Sequence, residues 1–125
     1  MSATPTILVV DDSDVIRSLI VLNLELEGFS VREARDGQEC LDIVGEVRPD
    51  LITMDAAMPR LDGFGAVEAL RANPETRSIP IVMVSARAQG SDVARGTALG
   101  VDAYITKPFE PAHLVETVRS LTTAP

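Results

Sequence analysis

The chain has 125 residues, of which 46% are apolar, and its formal net charge is -8. This length suits one domain, residues 1–125, with a core that needs no disulfide or metal to hold it together. The negative charge and the 3% aromatic content disfavour direct nucleic-acid binding, which needs clustered Lys and Arg and aromatic stacking platforms.

Cysteine usage and the N-terminus bear on the cellular compartment. The single cysteine, Cys40, lies in an apolar helical pattern and cannot form an intramolecular disulfide, as is typical of reducing compartments. The first six residues carry no basic side chain, and Asp11 interrupts the apolar run that follows. That run is too short for a signal-peptide core or a membrane span. We therefore expect a cytoplasmic, unprocessed domain that is not membrane-bound.

Short apolar runs alternate with segments of helical period about five times, which predicts strand–helix–strand units and a parallel sheet. Three runs are continuously apolar, as in central strands that helices cover on both faces. The run at 29–34 alternates and carries Arg32 and Glu33, so we place it at a sheet edge. The predicted strands are 6–12, 29–34, 51–55, 79–85 and 102–106.

The predicted helices have start and stop signals. Ser13 can cap the first helix and Gly28 can end it; Pro49 and Pro74 stop the second and third, and Pro111 begins the last. The residues predicted to face inward are Ile16, Leu19, Ile20 and Leu24 in the first helix, Leu41 and Val44 in 37–47, Val67 and Leu70 in 64–72, and Leu114, Val118 and Leu121 in the last.

The fourth helix, 91–99, is the weakest of the five. It is short, and Gly96 in its interior costs roughly 1 kcal/mol relative to alanine. We predict that it is the most mobile element.

Polar side chains follow the predicted strands at their carboxyl ends, where open parallel sheets bind ligands. Crowded carboxylates repel each other, so either their pKa values rise or a cation lies among them. Oxygen ligands without His or Cys favour a hard cation, and a shallow site shared with water and a phosphate suits Mg²⁺. The residues at these ends are Asp11 and Asp12 after the first strand, Asp55 after the third, Ser85 after the fourth and Lys107 after the fifth.

Lys107 is the only lysine in a chain that otherwise uses ten arginines. A compact ammonium suits one phosphoryl oxygen, or one carboxylate beside a metal, better than the wide guanidinium fork does. With a divalent cation on one side and Lys107 on the other, Asp55 becomes a candidate nucleophile toward phosphorus, which would give an aspartyl phosphate.

These motifs together resemble a response regulator receiver domain of two-component signalling, of the chemotaxis-regulator (CheY-like) type. The resemblance covers nearly the whole chain. It implies a flavodoxin-like, doubly wound α/β sheet of five parallel strands in the order 2-1-3-4-5, and a cis Lys107–Pro108 bond. The matching segments are Asp11-Asp12, DAAMPRLDG from Asp55, Ser85-Ala86, Tyr104, and Lys107-Pro108-Phe109.

The resemblance also implies a phosphoacceptor signalling domain rather than an enzyme. A histidine kinase or histidine phosphotransfer protein would phosphorylate Asp55, and the domain would assist its own phosphorylation and dephosphorylation. Mg²⁺ would be held by Asp11, Asp12, Asp55 and the backbone carbonyl of Ala57. A monomer or a phosphorylation-dependent dimer is expected.

The implied signal leaves through two switch residues. Ser85 would move to the phosphoryl group and Tyr104 would turn inward, which would reshape the face of the fourth helix, fifth strand and fifth helix for a downstream target protein. Packing alone is an equally good explanation of a strand tyrosine such as Tyr104. Arg87, two residues after Ser85, leaves the phosphate lifetime open.

Rival functions remain open at this point. A receiver-like interaction module would keep the fold without being phosphorylated. A small haloacid-dehalogenase-type phosphohydrolase would use the Asp-x-Asp pattern that Asp12-Ser13-Asp14 supplies, but would leave Asp55 idle. A flavin binder would need aromatic residues that sandwich the ring and a Ser/Thr-rich phosphate loop, and the sequence shows neither feature. Each polar residue taken singly also has an ordinary role, such as helix capping by Asp12 or Ser13.

Overall fold

The sheet has five parallel strands in the predicted order, β2-β1-β3-β4-β5. The structure is a computed structural model that describes residues 4–87 and 89–122. Arg32 and Glu33 are exposed on an edge strand, as their charges predicted. The strands are β1 Thr6–Val10, β2 Ser30–Ala34, β3 Leu51–Met54, β4 Ile81–Ser85 and β5 Ala103–Thr106.

Five helices connect and follow the strands, and their ends follow the predicted signals. The Ser13 hydroxyl accepts a hydrogen bond from the Ile16 N–H at 3.2 Å and so caps the first helix. Gly28, with a φ of 94°, follows the end of that helix. The helices are α1 Asp14–Leu26, α2 Gly37–Val47, α3 Gly63–Ala72, α4 Gly90–Leu99 and α5 Pro111–Thr122.

Apolar side chains fill a core layer on each face of the sheet. Leu8 and Val10 of β1 belong to the layer that α2 and α3 cover, whereas Ile7 and Val9 belong to the layer that α1 and α5 cover. Since both faces of the central strands are buried, their side chains are mostly apolar without alternation, and Thr53 of β3 is a buried polar exception. The buried Cys40 lies in the first of these layers. Within the described residues, no helix has the length and apolar character needed to cross a bilayer.

The prediction that Leu19 faces inward is wrong. Ile20 and Leu24 of α1 are buried, but the Leu19 residue is 41% exposed. The helix is so rich in apolar residues that two stripes of 3.6-residue period fit its sequence, and only one of them packs on the sheet. The other stripe is an exposed row of four side chains, Val15, Leu19, Leu22 and Leu26.

Gly96 in α4 has a packing role that its helix propensity does not reveal. A Cβ at this position would lie 3.2 Å from Cδ2 of Tyr104 and 3.3 Å from Cγ2 of Val101. The glycine therefore lets α4 approach β5 closely. Gly96 is also the one fully buried residue of α4, so little apolar burial supports this helix. Its greater mobility stays a prediction.

Candidate functional site

Sheet hydrogen bonds continue past the strands and hold the polar residues at the carboxyl edge. The Asp55 N–H donates to the Val10 carbonyl at 3.0 Å, and the Lys107 N–H donates to the Ser85 carbonyl at 3.0 Å. Because the backbone at these positions is fixed by the sheet itself, the side chains meet at one place. The structure thus brings together the residues that the sequence placed at the ends of separate strands.

Three carboxylates converge at this edge. Asp11, Asp12 and Asp55 each offer one oxygen, and these oxygens all lie within 4.8 Å of one another. Asp11 and Asp55 are buried, whereas Asp12 is exposed. An all-oxygen donor set with one side open to solvent fits a hard divalent cation that keeps part of its water, which describes Mg²⁺.

Lys107 supplies the positive charge of the group. Its Nζ lies 2.8 Å from Asp11 Oδ2 and 3.6 Å from Asp55 Oδ1. The side chain is 15% exposed. It reaches the carboxylates from the end of β5, where the Lys107–Pro108 bond is cis as the resemblance implied. One ammonium therefore contacts two of the three carboxylates and leaves the third to face solvent.

The environment of Asp55 disfavours its charged form. Burial raises the pKa of the Asp55 carboxyl from 3.8 to about 6, and the charge of Asp11 acts in the same direction. The Lys107 ammonium and the Ala57 N–H lower the pKa without cancelling that effect. A cation bound among the carboxylates would favour the ionised Asp55. The electrostatics of the site are therefore incomplete without a further positive charge.

Ser85 and Tyr104 both contact the backbone of Arg87. The buried Ser85 hydroxyl accepts a hydrogen bond from the Arg87 N–H at 3.0 Å. The Tyr104 hydroxyl donates to the Arg87 carbonyl, while its half-buried ring packs on the core and against Gly96. Packing is thus part of the role of Tyr104. The Arg87 guanidinium pairs with Asp92 of α4 at 3.2 Å.

Gly63 is a site residue whose role sequence reasoning missed. A Cβ on Gly63 would lie 2.0 Å from the Asp55 carbonyl oxygen and 2.9 Å from Cα of Ala56. Its N–H donates to the Ala56 carbonyl at 2.8 Å. The start of α3 therefore rests on the backbone of the central carboxylate, and only glycine fits there. The available signal was the Asp62-Gly63 pair, in which Asp62 caps α3.

Arg17 also escaped the sequence reasoning. It is buried and donates to the Asp11 carbonyl. The possible signal was its place between Ile16 and Ile20, on the face of α1 that packs inward.

The predicted role of the Ala57 carbonyl stays a prediction, and Ala57 itself is exposed.

The chain belongs to the family described as the response regulator receiver domain, whose pattern matches residues 7–119. Receiver domains of this family are signalling domains of two-component systems that work with histidine kinases, and the carboxylate group at the sheet edge fits a phosphoacceptor site.

Two curated relatives are similar to this chain in sequence. The chain is 45% identical over 120 residues to the transcriptional regulatory protein PrrA of Mycobacterium leprae, covering 95% of this chain and 50% of that protein. It is 38% identical over 117 residues to the DNA-binding dual master transcriptional regulator RpaA of Synechocystis, covering 94% of this chain and 48% of that protein. The chain thus spans about half the length of these curated relatives.

Solved structures match over nearly their whole length. A putative response regulator from Chloroflexus aurantiacus superposes with a TM-score of 0.93 at 33% identity, covering 98% of this chain and 100% of that one. The chemotaxis protein CheY4 of Vibrio cholerae superposes with a TM-score of 0.90 at 33% identity, covering 95% and 99%. The flavodoxin-like fold that the resemblance implied is therefore confirmed.

Proposed function

We propose that Asp55 accepts a phosphoryl group from a histidine kinase or a histidine phosphotransfer protein, with Mg²⁺ bound beside it. The observation that carries this proposal is the convergence of Asp11, Asp12 and Asp55, with their oxygens within 4.8 Å, around the Lys107 ammonium. A carboxylate between a divalent cation and an ammonium is placed to attack phosphorus, because both charges stabilise the transferring group.

Each residue has a proposed part in the transfer. A carboxylate oxygen of Asp55 forms the new bond to phosphorus, and the bond from phosphorus to the donor's imidazole nitrogen breaks with its electron pair going to that nitrogen. Mg²⁺ would be held by Asp11, Asp12 and Asp55 with the Ala57 carbonyl, and when bound it would supply charge neutralisation. Lys107 holds Asp11 in the free protein and is close enough to Asp55 to meet a phosphoryl oxygen. The same arrangement lets the domain assist phosphorylation and hydrolysis of the product.

The proposed output uses the contacts around Arg87. A Ser85 hydroxyl that turns toward a phosphoryl group would lose the bond from the Arg87 N–H, and the carbonyl of the same residue accepts from the Tyr104 hydroxyl. A movement of Ser85 would therefore displace Arg87, which contacts Tyr104. Because Arg87 also pairs with Asp92, the first turn of α4 would be affected as well. The surface of α4, β5 and α5 would change shape for a target protein.

The phosphohydrolase alternative fits the structure less well. It would need Asp14 as well as Asp12 at the reacting centre. The Asp14 side chain is 85% exposed and pairs with Arg17, and the carboxylate group consists of Asp11, Asp12 and Asp55. An interaction module that is never phosphorylated remains the second candidate, and the experiment below separates it from the phosphoacceptor.

Phosphoryl uptake is the direct test. Incubation with Mg²⁺ and acetyl phosphate should add one phosphoryl group, seen by intact-protein mass spectrometry, and Asp55→Asn should abolish the adduct. Asp62→Asn is the matched control: it makes the same change in the same loop, keeps a helix-capping side chain, and should leave uptake intact. A parent protein whose mass stays unchanged would favour the interaction module.

We also propose the domain extent, cellular compartment, oligomeric state and output of this unit. Residues 1–125 act as one receiver unit in the cytoplasm, as a monomer or a phosphorylation-dependent dimer. The net charge of -8 supports signalling by protein contacts rather than by direct contact of this unit with nucleic acid. The relatives named as transcriptional regulators make a transcriptional output one candidate for the protein that carries this unit.

A further inference from the structure

Arg17 is a buried arginine outside the carboxylate group. It lies at the end of the first turn of α1, and the whole residue is 8% exposed. A guanidinium in such a place is unfavourable unless all its donors find acceptors. Its neighbours Ile16 and Ile20 face the core layer under α1, so an apolar residue would have been the expected choice for packing alone.

The guanidinium joins three separate parts of the chain. One terminal nitrogen donates to the Asp11 carbonyl at 2.9 Å, Nε donates to Glu33 Oε1 at 2.9 Å, and the other terminal nitrogen donates to Asp14 Oδ1 at 2.5 Å. These acceptors belong to the end of β1, the edge strand β2 and the first turn of α1. Only a planar fork with donors in fixed directions meets all three at once, and an ammonium on a lysine stem cannot.

The Asp11 carbonyl is the acceptor that matters for the site. The Asp11 N–H donates to the Ala34 carbonyl at 3.1 Å, and its carboxylate accepts from the Ser13 N–H at 2.9 Å and from Lys107. The bond from Arg17 satisfies the remaining backbone group. That carbonyl lies in one rigid plane with the N–H of Asp12, so Arg17 fixes the peptide from which the exposed Asp12 carboxylate projects.

Arg17 also holds a competing carboxylate away. Asp14 is two residues from Asp12. Its side chain is 85% exposed and pairs with Arg17. Glu33, the other carboxylate partner, is 49% exposed. Because Asp14 and Glu33 both pair with the guanidinium, the group that converges on one point consists of Asp11, Asp12 and Asp55.

We propose that Arg17 is the positioning residue of the cation site: it fixes the Asp11–Asp12 peptide and holds Asp14 outside, and thereby sets the affinity for the divalent cation. This inference rests on the proposed function, because it assumes that Asp11, Asp12 and Asp55 take up Mg²⁺. Arg17 touches neither the cation nor the phosphoryl group, so its effect passes through the geometry of its neighbours.

The test compares Arg17→Lys with Arg71→Lys. Arg71 is a similar fork at the opposite edge of the sheet, where it donates to the carbonyls of Gly100, Arg77 and Ile79. Thermal unfolding is followed at increasing MgCl₂, and the rise in melting temperature gives the concentration for half-saturation. We expect Arg17→Lys to raise that concentration about tenfold. Arg71→Lys should lower the melting temperature, but it should leave the Mg²⁺ concentration for half-saturation unchanged.

A second variant covers the case in which Arg17→Lys does not fold. Glu33→Gln removes one charged anchor from a half-exposed position, and it should raise the Mg²⁺ concentration for half-saturation by a smaller factor, about threefold. Phosphoryl uptake by these variants should recover at high Mg²⁺, because a geometric defect in cation binding is overcome by mass action.

Three results would overturn the inference, and they are distinguishable from one another. A folded Arg17→Lys with the half-saturation of the parent would show that the fork does not position the site. An equal loss in Arg71→Lys would show that the effect is general stability. A parent protein that shows no Mg²⁺ dependence would instead remove the proposed function, and the inference with it.

Discussion

Aspartates stand at both edges of the sheet, but their side chains meet different partners. At the amino edge, Asp50 accepts the Thr6 N–H at 2.7 Å, and Asp102 accepts the Ile81 N–H at 2.8 Å and the Arg71 guanidinium at 3.2 Å. Each of these carboxylates satisfies a donor at the start of a strand. At the carboxyl edge, Asp11 and Asp55 face each other instead, and share one ammonium.

This difference separates residues that stabilise the fold from residues that are held ready for a ligand. The amino-edge carboxylates replace missing backbone partners, as helix caps do. The carboxyl-edge carboxylates repel one another, and burial together with that repulsion raises the pKa of Asp55 to about 6. At the second edge the contacts that oppose this repulsion come from Lys107, Arg17 and the sheet backbone.

The largest effect is expected from removal of the shared ammonium. Lys107→Ala leaves the buried Asp11 carboxylate without its 2.8 Å partner, so the free energy of unfolding should fall by about 3 kcal/mol in metal-free buffer. Added Mg²⁺ should still bind and should recover part of the loss, while the response of α4 to phosphorylation is lost. Urea unfolding with and without MgCl₂ measures the first effect.

The matched control for that variant is Arg77→Ala, which removes an exposed cation and should change stability by less than about 0.5 kcal/mol. If Lys107→Ala unfolds like the control, or if it switches normally on phosphorylation, the lysine is not what holds this edge together.

A somewhat smaller effect is expected from Asp55→Asn, and its size depends on pH. The folded-state pKa of Asp55, about 6, lies above the ordinary value of 3.8. The protonated form therefore favours folding, and this contribution is full below about pH 4 and is lost as the pH rises through 6. In metal-free buffer Asp55→Asn should match the parent near pH 4 and be more stable by roughly 2 kcal/mol at pH 8.

The measurement is the difference between the two unfolding curves across that pH range, because groups remote from residue 55 contribute equally to both curves. With saturating Mg²⁺ the advantage of the variant should shrink, because the cation stabilises the ionised carboxylate of the parent. A difference that stays flat from pH 4 to pH 8 would contradict the electrostatic account of Asp55.

The smallest effect is expected at the amino edge. Asp102→Ala leaves the Ile81 N–H and one Arg71 contact without their carboxylate, so it should lower the free energy of unfolding by about 1.5 kcal/mol. The loss should be the same with and without Mg²⁺, because Asp102 lies at the other edge of the sheet. A loss that Mg²⁺ changes would mean that the two edges are coupled, and Asp42→Ala on the exposed face of α2 serves as the control.

The residues at the carboxyl edge could be predicted from the sequence, because the end of each strand determines where the following side chain lies. Asp11, Asp55, Ser85 and Lys107 each follow an apolar run, and parallel strands bring such ends to one edge whatever the helices do. The sheet order came from the family resemblance to the whole set of motifs, since periodicity alone does not say which strand lies beside which.

The errors and omissions came from contacts that no local pattern carries. Leu19 could not be placed, because α1 is apolar on two stripes and only packing selects one of them. Gly96 is a weak point of α4 by helix propensity, and the sequence does not reveal that it also lets the Tyr104 ring approach. Arg17 acts through a carbonyl and through Glu33 of a different strand, and neither partner is visible from its neighbours in sequence.

The exposed row of α1 has a practical consequence for handling the protein. Val15 and Leu26 at its two ends are 78% and 73% exposed, on a molecule whose net charge is -8. Mutual repulsion between equally charged molecules keeps such rows apart in dilute salt, and ionic strength screens it. We expect colloidal stability to fall as salt is added, so light-scattering measurements at low and high salt should accompany any purification of this chain.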